Sequence, residues 1–355
     1  MYLRNCWQVA AFGTEIVPGQ LLPRTICDKP IVFFRASDGQ VVACADRCPH
    51  RYAPLSKGML IDETLRCGYH GLRFDGAGKC VRIPGQEHIP LKACVKTFPV
   101  MERYKLVWIW MGNPEKANPA LVPDVHWMDD PEWVASEGYH HVGANYKLLN
   151  DNLLDLSHET YVHGKTIGHE AVAESPVYVR TDAQGVYVDK EMKDCTPPPF
   201  YQFLGKLSAN DRIDRWQRTV YLPPGYIVID VGVQPLQGQG GSLGVEGRVI
   251  DLITPETPTS THYFWAFARN FRLTEVAVTE FLRENVRRTF DEDKEMLEAQ
   301  QRNLGIDTEP IFQVSIKADA APTQGRRLLA AMIEAESRGI KPTCLQAGSM
   351  PDTTL

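Results

Sequence analysis

The chain has 355 residues, 43% hydrophobic and 23% charged, with a formal net charge of −6: long enough for two domains of ordinary size, and of soluble globular composition. No block of Lys/Arg forms a basic face for nucleic acid, and no apolar run reaches the ~18 residues of a membrane span. The start, MYLRNCWQVA, lacks an apolar stretch of signal-peptide length, which points to a cytoplasmic protein.

In chain order, the first 110 or so residues read as short strands broken by turns. Examples are Ile31–Phe34, Val41–Cys44 after the turn Asp38-Gly39, and Val107–Trp110. Turn residues recur at Pro18-Gly19, Asp75-Gly76 and Pro84-Gly85, and no long amphipathic pattern interrupts them. Pro114, Asn118-Pro119 and Pro123 punctuate the chain beyond Gly112, which suggests an all-β domain over 1–112 and a second domain over 113–355. The second part is mixed. A helix is expected from Asn145 to His163, ended by Gly164. Strands follow at Val177–Val179, Val186–Val188, Tyr226–Val231, Arg248–Ile253 and His262–Phe267. Thr274 opens a long helix to Leu304 with Gly305 behind it, and a last helix covers Thr323 to Ser337. The stretch Gln237–Gly241 reads as a flexible loop. The fold class is therefore α+β, an all-β domain followed by an antiparallel sheet with helices.

The nine cysteines are scattered and odd in number, unlike a small disulfide scaffold. Two of them stand out. Cys48-Pro-His50 is followed, after sixteen residues, by Cys67-Gly-Tyr-His70, so two loops each offer one thiolate and one imidazole. A Rieske [2Fe–2S] centre needs two Cys on one iron and two His on the other. A structural zinc site is the rival, although zinc fingers place both Cys in one half of the motif.

A second constellation is Asp151-Asn152-Leu-Leu-Asp155-Leu-Ser-His158-Glu-Thr-Tyr-Val-His163. On one continuous helix Asp151, Asp155 and His158 share a face at i, i+4, i+7. His163 lies off that face unless a widened turn brings it round. Two His with one carboxylate make an Fe(II) site with positions open for O2. In the helix opened by Thr274, the apolar stripe is Leu282, Val286, Phe290 and Leu297. Asp293 falls in its middle, Asp291 on the opposite face and Glu292 to one side. A carboxylate centred on an apolar face is costly unless it is paired or holds a metal, so Asp293 is the third candidate ligand; a salt-bridged core acid is the alternative. His88, His126 and His169 are isolated, and His140-His141 read as structural. Alternation in the strand Thr261–Phe267 could aim His262 at a substrate cavity, and Asn152 beside the metal residues is a second substrate candidate. Arg215, Arg269 and Asn270 are conceivable anion partners. There is no G-x-G-x-x-G or P-loop, so electrons from NAD(P)H must arrive through a separate reductase.

Cys48-Pro-His-Arg51 and Cys67-Gly-Tyr-His-Gly71 resemble the signature of Rieske non-haem iron oxygenases. The resemblance implies Cys48 and Cys67 on the inner iron and His50 and His70 on the outer one. The D-x3-D-x2-H-x4-H pattern of 151–163 is similar to that family's mononuclear iron motif, implying His158 and His163 as ligands. Glu-Asp-Lys at 292–294 resembles the place of its ligating Asp. The same likeness implies that Asp155 links a neighbour's His70 to His158 in a head-to-tail homotrimer. It extends through Pro197–Phe200, Asp214–Trp216, Ile253–Thr257 and Ala268–Phe271. It is strongest to vanillate O-demethylase oxygenase subunits, then to toluenesulfonate methyl-monooxygenase and dicamba demethylase subunits. The implied partner is a flavin/[2Fe–2S] reductase, and the implied reaction is O2-dependent hydroxylation of a methyl or methoxyl group on a small aromatic acid. For a methoxyl group the products are a phenol and formaldehyde. Alternatives are a ring cis-dihydroxylating dioxygenase, an arenesulfonate methyl hydroxylase, a Rieske electron-transfer protein and a zinc-binding interaction module.

Overall fold

Short runs of β-branched and aromatic residues between turn residues favour strands over helices, and the N-terminal third forms three small sheets. The computed structural model describes residues 1–236, 243–305 and 314–339; the loop expected at Gln237–Gly241 lies outside them. The chain divides into two units, Arg4–Val122 and Met1–Leu3 with Pro123–Leu355.

In the first unit, Trp7–Phe12, Leu106–Trp110 and Val100–Arg103 form a three-stranded sheet. Leu22–Ile26, Lys29–Arg35, Val41–Ala45 and Thr97–Phe98 form a four-stranded one. Met59–Ile61, Thr64–Arg66, Arg73–Phe74 and Cys80–Arg82 form the third, a meander. The unit runs to Val122 rather than stopping at Gly112, because the segment beyond Gly112 is tied back by hydrogen bonds. The indole N–H of Trp110 donates to the Asn113 carbonyl and that of Trp7 to the Asn118 carbonyl.

The second unit is built on a seven-stranded antiparallel sheet. Its order is Val134–Val142, Ser260–Arg269, Val245–Thr257, Tyr226–Pro235, Ile213–Leu222, Val186–Cys195 and Val177–Thr181. Six strands follow one another as a meander, and the edge strand Val134–Val142 joins from a distant part of the sequence, pairing Val134 with Arg269 and Val142 with Thr261. At Gly138 a Cβ would lie 2.1 Å from the indole of Trp265, so only glycine lets the two strands close over that ring.

The helix Val276–Leu304 starts two residues after Thr274, with Glu275 at its N-cap, and ends at Gly305 in a positive-φ conformation. Val278, Leu282, Val286, Phe290 and Leu297 are its buried stripe, and Phe290 packs on Tyr263 and Trp265 of the sheet at ring distances of 5.1 and 5.5 Å. Burying one such side chain contributes about 1.5–3 kcal/mol, so the stripe fixes which face of the helix meets the sheet. The last helix covers Ala320–Ser337. Among the described residues no helix is long and apolar enough to cross a membrane.

The continuous helix expected over 145–163 is a correction. A helix runs from Tyr146 to Leu154, Asp155 is extended (φ −120°, ψ 94°), and a 3-10 turn Leu156–His158 leads into a short helix Glu159–Val162. Asp155 causes the break from both ends. Its carboxylate accepts the Ser157 N–H at 2.9 Å, a capping bond, and its carbonyl accepts from His158 Nδ1 at 2.6 Å.

Candidate metal centres

In the first unit Cys48 follows the strand Val41–Ala45, and Cys67 follows Thr64–Arg66. The two loops repeat one backbone pattern. Cys48 N–H donates to the Ala53 carbonyl and Tyr52 N–H to the Cys48 carbonyl; Cys67 N–H donates to Leu72 and Gly71 N–H to Cys67. Tyr52 and Gly71, at matching positions, both have positive φ. Gly68 is required by close approach, since a Cβ there would lie 2.4 Å from the Lys57 carbonyl. Cys48 and Cys67 are buried over an apolar floor that includes Leu55, Leu65 and Phe74. His50 and His70 are exposed, their rings 4.6 Å apart. Burial pushes the Cys48 thiol up to about 11, while the backbone N–H groups of His50 and Arg51 point at its sulfur and Cys67 is its hydrogen-bond neighbour. Two facing thiols with N–H donors aimed at sulfur, and two adjacent imidazoles outside them, are the donor set of a Rieske cluster.

In the second unit the helix break turns the next residues inward. His158, His163 and Asp293 offer ligand atoms all within 4.8 Å of one another. Asp293 Oδ1 lies 3.3 Å from His158 Nε2 and 3.2 Å from His163 Nε2. The far ring nitrogens are held from behind: His158 Nδ1 by the Asp155 carbonyl, and His163 Nδ1 by Glu292 Oε2 at 2.8 Å. Both bonds require a proton on Nδ1, which leaves each Nε2 lone pair for a cation. Burial alone would raise the Asp293 carboxyl, but hydrogen bonds from His158 and His163 outweigh it and hold it well below the usual carboxylate range. Burial pulls His163 down, and its bonds with Asp293 and Glu292 push it to about 9. Two imidazoles with one carboxylate fit a divalent first-row metal that keeps open positions.

These three groups line a cavity that opens to solvent, concave and mostly apolar as small-molecule sites are. Its walls are mostly apolar, among them Leu153, Phe200, Ile229, Val249, Phe267 and Phe290. Arg215 also lines it, but Nη2 is bound to Glu159 Oε2 at 2.8 Å and Nη1 to the Ile167 carbonyl.

Other expected site residues fall elsewhere. Asp151 does not share the metal face; it pairs with Arg326 of the last helix. The Asp155 carboxylate caps Ser157, and it is the carbonyl that touches His158. Asn152 donates to Asp293 Oδ1 at 3.1 Å and lines a smaller adjoining cavity with Tyr263. His262 points to the opposite side of the sheet from Tyr263 and Trp265, where its Nδ1 meets the Tyr139 hydroxyl at 2.8 Å. Arg269 is spent on the carbonyls of Phe271, Arg272 and Glu275, and Asn270 is exposed. Asp291 bonds His140 Nε2 at 3.0 Å. Glu292, merely to one side of the helix stripe, carries no sequence signal for this role beyond its adjacency to Asp293.

Residues 142–335 match the family model for the vanillate O-demethylase oxygenase C-terminal domain, and residues 6–99 that for the Rieske [2Fe–2S] domain. The iron–sulfur subunit of the toluene-4-sulfonate monooxygenase system of Comamonas testosteroni is 41% identical, over 96% of this chain and all of that one. A vanillate O-demethylase oxygenase subunit of Pseudomonas sp. (strain HR199 / DSM 7063) is 40% identical, over 95% and 96%. Crystalline dicamba monooxygenase bound to 3,6-dichlorosalicylic acid superposes with a TM-score of 0.86 at 34% identity, covering 94% of this chain and 98% of that one.

Proposed function

The chain belongs to the Rieske oxygenases of the vanillate O-demethylase type, and from that premise we propose that it is the terminal oxygenase of a two-component system that O-demethylates a vanillate-like aromatic acid. The observation that carries this reading is the convergence of His158, His163 and Asp293 on one point in the wall of an apolar cavity. The first unit, with Cys48, His50, Cys67 and His70 holding the [2Fe–2S] cluster, is the electron port. A flavin/[2Fe–2S] reductase fed by NAD(P)H supplies the electrons, and exposure of His50 and His70 supports that entry. Asp155 as the link to a neighbour's cluster in a head-to-tail trimer, in the cytoplasm, completes the proposal.

When bound, the mononuclear iron activates O2 for attack on the methyl carbon. The protein's own part is positional. The Asp155 carbonyl and Glu292 fix the Nδ1–H tautomers, so both Nε2 atoms stay basic and aimed at one point. Asp293 stays ionised between the two imidazoles. The walls from Leu153 to Phe290 hold an aromatic ring in contact and exclude water. One oxygen atom of O2 is inserted into the methyl C–H bond, and two electrons and two protons reduce the other to water. The resulting hemiacetal breaks its C–O bond to give a phenol and formaldehyde.

Single turnover tests this. Reduced, iron-loaded protein is mixed with O2 and vanillate, with toluenesulfonate and an unmethylated benzoate alongside. Formaldehyde and 3,4-dihydroxybenzoate in equal amounts are expected. An intact Rieske absorbance with no formaldehyde from vanillate would overturn the methoxybenzoate assignment, and a ring diol from the benzoate would replace it with dihydroxylation.

A further inference from the structure

The cavity wall formed by the sheet is organised in cross-strand rows. Ile229, Val249 and Phe267 are paired across three strands, and all three line the cavity. Two residues along each strand, the next row is Ile227, Asp251 and Trp265. Side chains two apart in a strand share a face, so Asp251 stands on the cavity side of the sheet, one row from its wall. It is a carboxyl at 0% exposure between apolar neighbours. Oδ1 accepts from the Tyr263 hydroxyl at 2.7 Å, and Oδ2 is buried with no hydrogen-bond partner. A purely structural acid would be expected to have both oxygens satisfied by the fold.

The charge balance of the cavity points the same way. Arg215 is the only Lys or Arg among the residues that line it, and its charge is met by Glu159. Arg215 Nε is buried and unpartnered, but that N–H belongs to a guanidinium already neutralised. Gln217 gives its Nε2–H to Glu159 Oε1 at 2.6 Å, which fixes the amide orientation and leaves Gln217 Oε1 as a second buried acceptor without a partner. The spare polar capacity around the cavity is therefore mainly that of acceptors, with no uncompensated cation among the described lining residues.

We propose that Asp251 orients the substrate: its Oδ2 accepts a hydrogen bond from a donor on the aromatic ring, a hydroxyl or an N–H, so the enzyme selects aryl methyl ethers carrying such a donor. This rests on the demethylase reading of the cavity. The Tyr263 hydroxyl holds the carboxyl in place through Oδ1, and the ring of the ligand lies along Val249 and Phe267. A carboxylate on the same ring makes no contact with Asp251.

The test uses the iron-loaded holoenzyme, wild type and Asp251→Asn, with four probes: 4-hydroxy-3-methoxybenzoate, 4-amino-3-methoxybenzoate, 3-methoxybenzoate and 3,4-dimethoxybenzoate. Dissociation constants come from anaerobic titration and kcat/KM from formaldehyde release. In wild type, a donor-bearing probe should bind roughly tenfold or more tightly than 3-methoxybenzoate. The hydroxy and amino arms show which donor is preferred. In Asp251→Asn, with Oδ1 kept for Tyr263, an amide N–H replaces the spare acceptor. The preference should collapse to about threefold or less, and 3,4-dimethoxybenzoate should gain relative to the hydroxy compound. An unchanged binding ratio in a variant that retains its Rieske spectrum overturns the proposal. If Asp251→Asn does not fold, equal wild-type affinities for probes with and without the donor overturn it as well. Absence of formaldehyde from every probe refutes the demethylase reading, while the binding ratios still decide the role of Asp251.

Discussion

Arg326→Met removes the charge that faces Asp151 while keeping most of the arginine stem's packing. In wild type, Arg326 Nε reaches the two carboxylate oxygens of Asp151 at 2.9 and 2.8 Å, with Nη2 also on Oδ2. The pair joins the helix Tyr146–Leu154 to the helix Ala320–Ser337, and both side chains are at most 17% exposed. Burial pushes the Asp151 carboxyl up and Arg326 pulls it back, leaving it at about 6 against an ordinary 3.8. Because the folded value is the higher one, protonation favours the fold. This contribution is complete below about pH 4 and disappears as the pH rises through 6, a swing of about 3 kcal/mol. Without Arg326 the carboxylate is buried and uncompensated at pH 8, which costs about 3–5 kcal/mol. Near pH 5 the acid is mostly neutral in both proteins, so the loss shrinks to hydrogen bonding, about 1–1.5 kcal/mol. Urea unfolding followed by tryptophan fluorescence at the two pH values measures both numbers. Equal losses at pH 5 and pH 8 would refute the reasoning and assign the effect to packing.

His158→Ala should remove the mononuclear iron and the activity but leave the Rieske spectrum; metal analysis showing loss of the cluster instead would break the division into two sites. Glu292→Gln should keep the fold yet retain iron 10–100-fold less tightly, because His163 loses a carboxylate behind Nδ1; a chelator competition at constant pH reads this directly. Asp155→Asn should hold both metals, since its carbonyl still meets His158 and an amide oxygen can still cap Ser157, while reoxidation of the reduced cluster slows at least ~10-fold; an unchanged stopped-flow rate would remove the carboxylate from the electron path.

The residues that converge were legible in the sequence where a single local rule governed them. Cys48, His50, Cys67 and His70 announce themselves by dividing one thiolate and one imidazole between two loops. Asp293 is visible because Leu282, Val286, Phe290 and Leu297 define a helix face with an acid in its middle. Where the fold departs from expectation, the cause lies outside the local window. The spacing of Asp151, Asp155 and His158 suits a continuous helix, and nothing in it shows that His158 Nδ1 will take the Asp155 carbonyl or that Arg326, 175 residues away, will claim Asp151. The local sequence offers no means of choosing the side of the sheet on which His262 falls. The strand Ser260–Arg269 is buried at every position but the first, so no polar alternation marks which face meets the helix Val276–Leu304. The edge strand Val134–Val142 escaped notice for the opposite reason, its Ala-Ser-Glu-Gly-Tyr-His-His run having little strand character.

The topology of the large sheet also sets an order of events. Its six meander strands can zip from hairpin to hairpin, with small loop-closure costs at each step. The edge strand Val134–Val142 must wait for Ser260–Arg269, which lies far along the chain. The candidate metal ligands are divided across the same gap: His163 is 129 residues from Glu292, the neighbour of Asp293. On a ribosome that makes about 5–20 residues per second, the histidines therefore wait many seconds before Asp293 exists to join them. Until then the full set of three candidate ligands is not available to capture a stray cation.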